Sequence, residues 1–351
     1  MYPLNINDSK LRFHALIGTG GIGSGSFFLL NGNHTLGREE SRSGRFIDRR
    51  DYCKLHIVSH YVKVLLGRKF ETFPAGKVGD DDTGGRLYDE MAAAGLNMRY
   101  IEKSKNDQTL ISFCFMYPDG SGGNMTTDNS ACSKVTPAYI CKTEPSFKTY
   151  RGKGIALAVP EASLAARQKI LELGTGYSFF RAASFSSQEM KDVRELNLFQ
   201  NLDLLAVNID EAAKAAGLED DTGSPEQIVK SSIEVIKKLN PDIYISITAG
   251  KRGSWVWDGE ELGYIPAPSV NAVSTAGAGD AFLAGLICGL TAGLRLIQAH
   301  ELGSLTGALS VTSPHTIHKG INRKSLYEFA AGSGIKLPEP VRVLIEDSGP
   351  R

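Results

Sequence analysis

The chain has 351 residues, of which 42% are hydrophobic, so it is long enough for one large core or for two domains. Lysine plus arginine equals aspartate plus glutamate at 39 each, and this balance argues against a protein that binds polyanions such as nucleic acid. No apolar run approaches the roughly 20 residues that span a bilayer, and the first residues lack a basic, apolar, cleavable sequence. These features predict a cytoplasmic protein without nucleic-acid or membrane partners.

Apolar strand patterns alternate with helical patterns along the chain. Buried strands are predicted at residues 13–17, 155–159, 202–207 and 243–247. The alternation predicts a mostly parallel sheet that is covered by helices on both faces. The clearest helix start is at Ser224, where a capping-box spacing carries proline at the first helical position.

Two segments interrupt this alternation. Residues 27–33 contain Asn31-Gly32 between extended residues, which predicts a hairpin. Residues 109–117 alternate like a half-exposed strand and end in the turn sequence Pro118-Asp119-Gly120. Their spacing alone does not distinguish these two segments from ordinary surface hairpins.

A glycine pattern near the N-terminus is similar to a dinucleotide-binding fingerprint. Residues 18–23 spell G-x-G-x-x-G after the first predicted strand, and Glu39 and Glu40 follow about 20 residues later, as the fingerprint requires. A dinucleotide site needs a helix directly after the glycine turn, whereas residues 24–28 lead into the predicted hairpin. An NAD-dependent oxidoreductase is therefore disfavoured.

The cysteine and histidine patterns do not indicate a metal site. Five cysteines are an odd number without C-x-x-C spacing, which favours reduced thiols over a disulfide framework or a zinc site. His56 and His60 have helical i,i+4 spacing but lack the glutamate of a zinc-protease motif.

The most informative stretch is Ser274–Asp280, which is followed by the apolar run of residues 281–290. Small residues ahead of a helix leave its first N–H groups uncovered, and these groups form an anion site together with the helix dipole. Asp280 lies just inside the helix start, where a carboxylate can take the proton of a substrate hydroxyl. The alternative is that the glycines only allow close packing and that Asp280 caps the helix.

Together with other blocks, this stretch resembles the signatures of the ribokinase-like (PfkB) carbohydrate kinases. Gly277–Asp280 match the last four positions of the family's D-T-x-G-A-G-D. The other blocks follow in the family's order: Gly76–Gly84 for G-x-V-G-x-D-x-x-G, Asn208–Glu211 for N-x-x-E and Thr248–Gly253 for T-x-G-x-x-G. The likeness extends over residues 12–340.

The resemblance implies an α/β fold, a ribokinase-like three-layer sandwich with a mostly parallel central sheet and a small β-lid. The core would comprise residues 1–24, 48–105 and 130–351, and the lid would comprise residues 25–47 and 106–129 and cover the acceptor site. The implied activity is transfer of the ATP γ-phosphate to a hydroxyl of a small sugar, polyol or sugar phosphate. A nucleoside kinase and a non-catalytic sugar- or phosphate-binding regulator are the alternatives. A homodimer through the lid is also implied.

The resemblance further implies the site residues. Asp280 would be the general base, and the backbone at Gly277, Ala278 and Gly279 would stabilise the phosphoryl oxygens. Glu211 would arrange Mg²⁺, directly or through water, although on the residues alone Asn208 and Glu211 are a helix cap and an exposed glutamate. The nucleotide would contact Asn208, Glu211, Thr248, Gly250, Gly253 and Ser313, and the acceptor would contact Gly20, Gly21, Gly23, Arg45 and Asn124.

Three departures from the family pattern limit the resemblance. Ser274 replaces the first Asp of the signature, so the monovalent cation that this region helps to hold in the family is not carried over. Gly23 or Gly25 replaces the Asp that binds sugar hydroxyls. The family's G-G-x-x-x-N is replaced by a segment with four arginines, Arg42, Arg45, Arg49 and Arg50.

The arginine segment has two interpretations. Guanidinium groups that face the cleft of Asp280 would bind a phosphate or carboxylate of the acceptor, because they pair with such groups in a bidentate manner. Alternatively, the segment is a solvated face. The first interpretation requires at least two of the arginines to point into the cleft.

Overall fold

The computed structural model describes residues 2–119, 122–218 and 223–346, apart from the side chains at 8, 48 and 49. In this part of the chain, the strands form one sheet of nine strands and one of four. The spatial order of the larger sheet is β13 (Leu262–Ile265), β12 (Ser254–Trp257), β11 (Tyr244–Thr248), β10 (Leu204–Asn208), β9 (Phe180–Ala183), β8 (Gly154–Ala158), β1 (Ala15–Thr19), β4 (Glu71–Gly79) and β5 (Tyr100–Ser104).

The large sheet is mostly parallel. In the spatial order given above, all strands from β11 to β5 run in the same direction, and β12 and β13 are antiparallel additions at one edge. The predicted strands correspond to β1, β8, β10 and β11, and their ends differ by at most two residues from the predicted ones. The predicted parallel sheet is therefore confirmed.

Helices cover both faces of this sheet. One face carries α1 (Lys54–Leu66), α2 (Asp82–Ala93), α9 (Ala278–Thr291), α10 (Leu296–Ser310), α11 (Arg323–Gly332) and α12 (Glu339–Ile345). The other face carries α3 (Pro137–Ile140), α4 (Glu144–Thr149), α5 (Leu164–Gly176), α6 (Met190–Glu195), α7 (Ile209–Ala215) and α8 (Pro225–Leu239). Each face has its own apolar core, because neighbouring residues of a strand point to opposite sides: Leu16 joins the first core, and Ala15 and Ile17 join the second.

The predicted start of α8 is confirmed by its capping contacts. Ser224 N donates to Gln227 Oε1 at 2.9 Å, and Gln227 N donates to Ser224 Oγ at 3.3 Å. Pro225 is the first helical residue. Within the described residues, no helix is long and apolar enough to cross a lipid bilayer.

The smaller sheet, called the lid sheet below, contains β3 (Gly44–Tyr52), β2 (Gly23–Leu30), β6 (Leu110–Met116) and β7 (Gly122–Thr126) in that spatial order. The hairpin predicted at Asn31-Gly32 is more open than expected, since residues 31–43 form a long loop between β2 and β3. Of the predicted second turn, Gly120 lies outside the described residues. The strands also extend past the predicted lid boundaries, because β2 begins at Gly23 and β3 ends at Tyr52.

The lid sheet has two faces of different character. The inner face, defined here by residues that contact one another on one side, contains Gly25, Asp51, Ser112, Cys114 and Asn124. The outer face contains Phe28, Phe46, Ile111, Phe113 and Met125. Alternation along the strands separates the two sets, so one side is polar and the other is apolar.

Candidate active site

The carboxyl ends of the parallel strands bring the predicted site residues to one edge of the sheet. Thr19 of β1 pairs with Ala158 of β8, and Asn208 of β10 pairs with Thr248 of β11. In parallel sheets of this kind, ligands bind beyond the carboxyl ends of the strands. The glycine turn after β1 opens into β2, as predicted, and not into a helix.

The first turn of α9 is the segment for which an anion site was predicted. Gly277 caps the helix with a φ of 77°, and a Cβ at this position would lie 2.8 Å from Thr316 O, so the position requires glycine. The amide of Ala278 donates to Thr275 O at 3.2 Å. The amides of Gly279 and Asp280 make no hydrogen bond within the described part of the chain. Of the three predicted donors, the amide of Ala278 is therefore occupied, whereas those of Gly277 and Gly279 are open in the described residues, and the amide of Asp280 is a further open donor.

Lys54, the first residue of α1, faces Asp280. Its Nζ lies 3.9 Å from Asp280 Oδ1, and the side chains are 35% and 13% exposed. Burial raises the pKa of Asp280 above its ordinary value, and the charge of Lys54 opposes this rise. Conversely, the charge of Asp280 raises the pKa of Lys54. A carboxylate with a raised pKa is a better general base than an ordinary aspartate.

Glu161, in the loop after β8, approaches the same pair. Its Oε2 accepts a hydrogen bond of 3.1 Å from Lys54 N, and its backbone has a φ of 76°, which is unusual for a residue other than glycine. Burial raises the pKa of Glu161 to about 7, whereas the charge of Lys54 lowers it. The buried Arg167 supports this loop, because its Nε donates to Ala162 O at 3.0 Å. Sequence analysis missed Lys54 and Glu161, although a charged residue directly after a buried parallel strand was a usable signal for Glu161.

Packing inside the protein is a reason for the glycines after β1 that the sequence analysis did not consider. Side chains at Gly20, Gly21 and Gly23 would collide with protein atoms of Val159, Glu161 and Leu110, respectively. Close packing within the protein therefore requires these glycines, whereas the prediction attributed them to a close approach of the acceptor. Contact between their backbone and an acceptor stays a prediction.

Asn208 and Glu211 form a reciprocal cap at the start of α7. Glu211 N donates to Asn208 Oδ1 at 2.9 Å, and Asn208 N donates to Glu211 Oε2 at 2.8 Å. The helix-cap part of that interpretation is therefore correct, but Glu211 is half-buried and not exposed, and its Oε1 takes no part in the cap. Burial raises the pKa of Glu211, and Lys54 and Asp280 both interact with it electrostatically.

A magnesium ion fits this site only when the phosphates of a bound substrate supply further ligands. The described residues contain no cluster of three or more His, Cys, Asp or Glu side chains that could hold a metal ion. Mg²⁺ commonly keeps several waters and binds through one or two carboxylates plus substrate phosphates. Glu211 can supply such a carboxylate oxygen, so its chemistry fits a magnesium ion that is held mainly by nucleotide phosphates and water.

The loop after β11 has the backbone shape that its glycines allow. Thr248 is half-buried at the end of the strand, and a 3₁₀ turn follows at Gly250–Arg252. Gly250 and Gly253 have φ values of 55° and 89°. A Cβ at Gly250 would meet no atom within 4 Å, so this part of the loop is open. The loop lies beside Asn208 through the pairing of β10 with β11, as the predicted nucleotide contacts require.

Ser313 and Ser274 lie in neighbouring buried segments. Ser313 is 8% exposed and its Oγ accepts from His315 N at 3.1 Å. It lines a depression of about 360 Å³ together with Arg50, Tyr52, His315, Ile317, His318 and Lys319. Ser274 is 7% exposed, and its amide donates to Val311 O at 3.2 Å.

The arginine segment does not form a cluster in the described residues. Arg42 pairs with Glu40 at 2.6 Å, and Arg50 lies 3.4 Å from Glu90. Arg45 is exposed and lies six positions before Asp51 on β3, roughly 20 Å along an extended strand. The side chain of Arg49 lies outside the described residues. Arg42 and Arg50 therefore do not meet the expectation of an arginine pair in the cleft, and an anionic acceptor stays a prediction that would need both Arg45 and Arg49. Asn124, by contrast, lies on the inner face near Cys114.

Taken together, the fold and the site define an α/β protein with open helix-start amides and a carboxylate of raised pKa at one edge of its parallel sheet. The family model for pfkB family carbohydrate kinases matches residues 58–322, and the chain belongs to this family. The predicted resemblance is therefore confirmed.

Known proteins of this family share part of the sequence and most of the fold. Fructoselysine 6-kinase of Escherichia coli (strain K12) is 37% identical over 67 residues, which are 19% of this chain and 26% of that protein. Ribokinase from Cryptococcus neoformans in complex with ADP has a TM-score of 0.73 at 18% identity and covers 90% of this chain and 99% of its own. Adenosine kinase from Sinorhizobium meliloti has a TM-score of 0.70 at 16% identity, with 91% and 99% covered. At these identities, the structural matches establish the fold, and the α/β sandwich is confirmed.

Proposed function

We propose that the protein transfers the γ-phosphate of ATP to a hydroxyl of a small sugar or polyol, with Asp280 as general base. The observation that carries this proposal is the first turn of α9, where the open amides of Gly279 and Asp280 lie beside a buried carboxylate. Phosphoryl transfer requires positioning and charge stabilisation more than covalent chemistry by the protein. This turn provides both within one short segment.

Each group has a defined part in the proposed reaction. The acceptor oxygen forms a bond to the γ-phosphorus, the bond from phosphorus to the bridging oxygen of ADP breaks, and the acceptor proton moves to Asp280. The amides of Gly279 and Asp280 donate to the phosphoryl oxygens. Lys54 keeps Asp280 ionised through its charge at 3.9 Å.

The nucleotide would occupy the edge formed by Thr248, Gly250, Gly253 and Asn208, with Ser313 beside the adenine. Mg²⁺ would neutralise charge on the phosphates, and Glu211 would hold it through Oε1 or through a bound water. Ser274 provides no carboxylate for a monovalent cation, so we expect activity without potassium. A cytoplasmic location stays a prediction from the sequence.

A screen of ATP consumption over sugars, polyols, sugar phosphates and nucleosides tests the proposal. We expect turnover with at least one sugar or polyol, and Asp280→Asn should lower kcat by at least about 100-fold while ATP still binds, because general-base catalysis contributes at least that factor. Preferential turnover of nucleosides would favour a nucleoside kinase. Absence of turnover with every acceptor, despite ATP binding, would favour a sugar- or phosphate-binding regulator.

We also infer that two copies associate through the outer face of the lid sheet. Phe46, Ile111 and Met125 are 66%, 47% and 56% exposed, and this is unusual for large apolar side chains that lie together. Phe46→Ser with Met125→Ser should convert a dimer to a monomer in sedimentation experiments. A wild-type protein that is monomeric at micromolar concentration contradicts this inference.

A further inference from the structure

A carboxylate occupies the space beside Gly25, although position 25 itself has no side chain. Gly25 on β2 is paired with Asp51 on β3. A Cβ at Gly25 would lie 2.6 Å from Asp51 Oδ2 and would also collide with Ser112 Oγ. The aspartate missing from β2 is therefore replaced in space by the side chain of Asp51 from the neighbouring strand.

The surroundings of Asp51 hold its carboxylate in a fixed orientation. Asp51 is 6% exposed, and Ser112 Oγ donates a hydrogen bond to its Oδ2. Cys114 Sγ lies 3.7 Å from the same oxygen and 3.6 Å from Asn124 Oδ1. Both side-chain contacts are made to Oδ2, and a backbone hydrogen bond from Tyr52 also stabilises the carboxylate. Because each carboxylate oxygen has two lone pairs, Oδ1 can accept a hydrogen bond from another molecule. The inner face thus presents an oriented acceptor of hydrogen bonds.

Backbone contacts connect this part of the lid sheet to the start of α9. Tyr52 N donates to Thr316 Oγ1 at 2.8 Å, and Thr316 N donates to Arg50 O at 3.1 Å. Thr316 also packs on the start of α9, because its carbonyl oxygen would lie 2.8 Å from a Cβ at Gly277. Asp51, between Arg50 and Tyr52, is therefore anchored to the loop that packs on the helix start of Asp280.

The carboxylates of Asp51, Glu161 and Asp280 interact with one another electrostatically and share the cation Lys54. The charge of Asp51 raises the pKa of both Asp280 and Glu161, and Lys54 is the cation that lowers both. Two of the nearby guanidinium groups are held by other acids, because Arg42 pairs with Glu40 and Arg50 lies 3.4 Å from Glu90. A phosphate or carboxylate on the acceptor would be repelled here, whereas hydroxyl groups can donate to the carboxylates.

We propose that Asp51 binds hydroxyl groups of the acceptor and selects a polyhydroxylated acceptor without an anionic group, either neutral or amine-bearing. This proposal rests on the kinase function proposed above. Asp51 is a binding residue for specificity, and Asp280 remains the base. Ser112 orients the Asp51 carboxylate by its hydrogen bond.

The main test uses Asp51→Asn and the acceptor found in the ATP screen. The KM for this acceptor should rise about 10- to 100-fold, the loss expected for a hydrogen bond to a charged group, while the KM for ATP stays within twofold. Deoxy analogues of the acceptor add a readout that a structural role would not change. With the wild type, one of these analogues should have a KM that is higher than that of the acceptor by a similar factor. With Asp51→Asn, the same analogue should show no further rise in KM.

The matched control is Asp242→Asn, which removes an exposed aspartate at the amino end of β11, opposite the site, and should leave both KM values unchanged. An unchanged acceptor KM in Asp51→Asn overturns the proposal for Asp51 and leaves the kinase function intact. If the wild type turns over no acceptor, the kinase function fails instead. Thermal shifts then decide on Asp51: polyols should raise the Tm of the wild type and not that of Asp51→Asn, and equal shifts overturn the proposal.

A second measurement needs no variant and applies even if Asp51→Asn does not fold. The wild-type kcat/KM for the acceptor should exceed that for its phosphate ester by at least tenfold, with the ester on a hydroxyl that is not the one phosphorylated. A preference for the phosphate ester overturns the proposal.

Discussion

The ion pair between Lys54 and Asp280 makes a quantitative prediction about pH. The two charges lie 3.9 Å apart. At this distance, opposite charges attract by about 1 kcal/mol in water and by about 4 kcal/mol near a protein surface. Since Lys54 is 35% exposed, solvent screens the pair and the lower part of this range applies. One pKa unit corresponds to about 1.4 kcal/mol, so Lys54→Met should raise the pKa of Asp280 by about one unit.

The sign of the effect follows from the role of the base. Asp280 must be ionised to take a proton, so activity is present above its pKa and is lost as the pH falls through it. Without Lys54, the acid limb of the profile of kcat/KM against pH should move upward by about one pH unit. Lys54→Arg keeps the charge and should leave the limb in place.

The assay is a pH series of kcat/KM for the acceptor identified in the ATP screen. Glu161 titrates nearby, with a pKa that burial raises to about 7, so the series is repeated in a Glu161→Gln background to assign the limb to Asp280. Lys238→Met, which removes an exposed lysine on α8, is the matched control. An acid limb that stays in place or moves downward in Lys54→Met would refute the reasoning.

Three further predictions concern the metal, the helix start and the loop of Glu161. Glu211→Gln keeps an oxygen for the cap of α7 but removes the negative charge. The Mg²⁺ concentration for half-maximal activity should therefore rise. An unchanged Mg²⁺ concentration would limit the role of Glu211 to capping the helix. Gly277→Ala places a Cβ 2.8 Å from Thr316 O at a φ of 77°, so the Tm should fall by a few degrees, whereas Gly176→Ala, with no atom within 4 Å, should leave it unchanged. Arg167→Met removes the ion pair with Glu189, which keeps only its hydrogen bonds from Ser186, and frees the carbonyl of Ala162, so denaturant unfolding should show a loss of about 3 kcal/mol. The acceptor KM should also rise, because Glu161 loses its support. An unchanged free energy of unfolding contradicts this account.

Local patterns were sufficient to predict much of the fold. The four predicted strands are present because each apolar run is buried on both faces, as the alternating contacts of Ala15, Leu16 and Ile17 illustrate. The cap at Ser224 is also a local interaction, since it involves residues only three positions apart. Residues 274–280 likewise carry local information, because small residues followed directly by an apolar helix predict the helix start at Gly277, whereas the contact of this glycine with Thr316 O is a tertiary one.

The site depended on contacts that no local pattern contains. Lys54 and Asp280 are far apart in sequence and meet because α1 and α9 lie on the same face of the sheet. Arg42 was expected to be available for a ligand, but its guanidinium bonds to Glu40 and to His34 O within the loop. The glycines after β1 were assigned to the acceptor, whereas the packing of Val159, Glu161 and Leu110 requires them.

The sequence by itself determined the layered α/β fold, the helix start at Gly277 and the identity of Asp280 as a candidate base, because hydrophobic periodicity and helix-terminal geometry act between residues close along the chain. Only the tertiary structure decided which charges surround that base. The pairing of β2 with β3 places Asp51 beside Gly25, and the parallel register of β1 with β8 places Glu161 beside Gly21. Electrostatic interactions depend on distance in space and on burial, and the chain reaches those distances only when its sheets have formed.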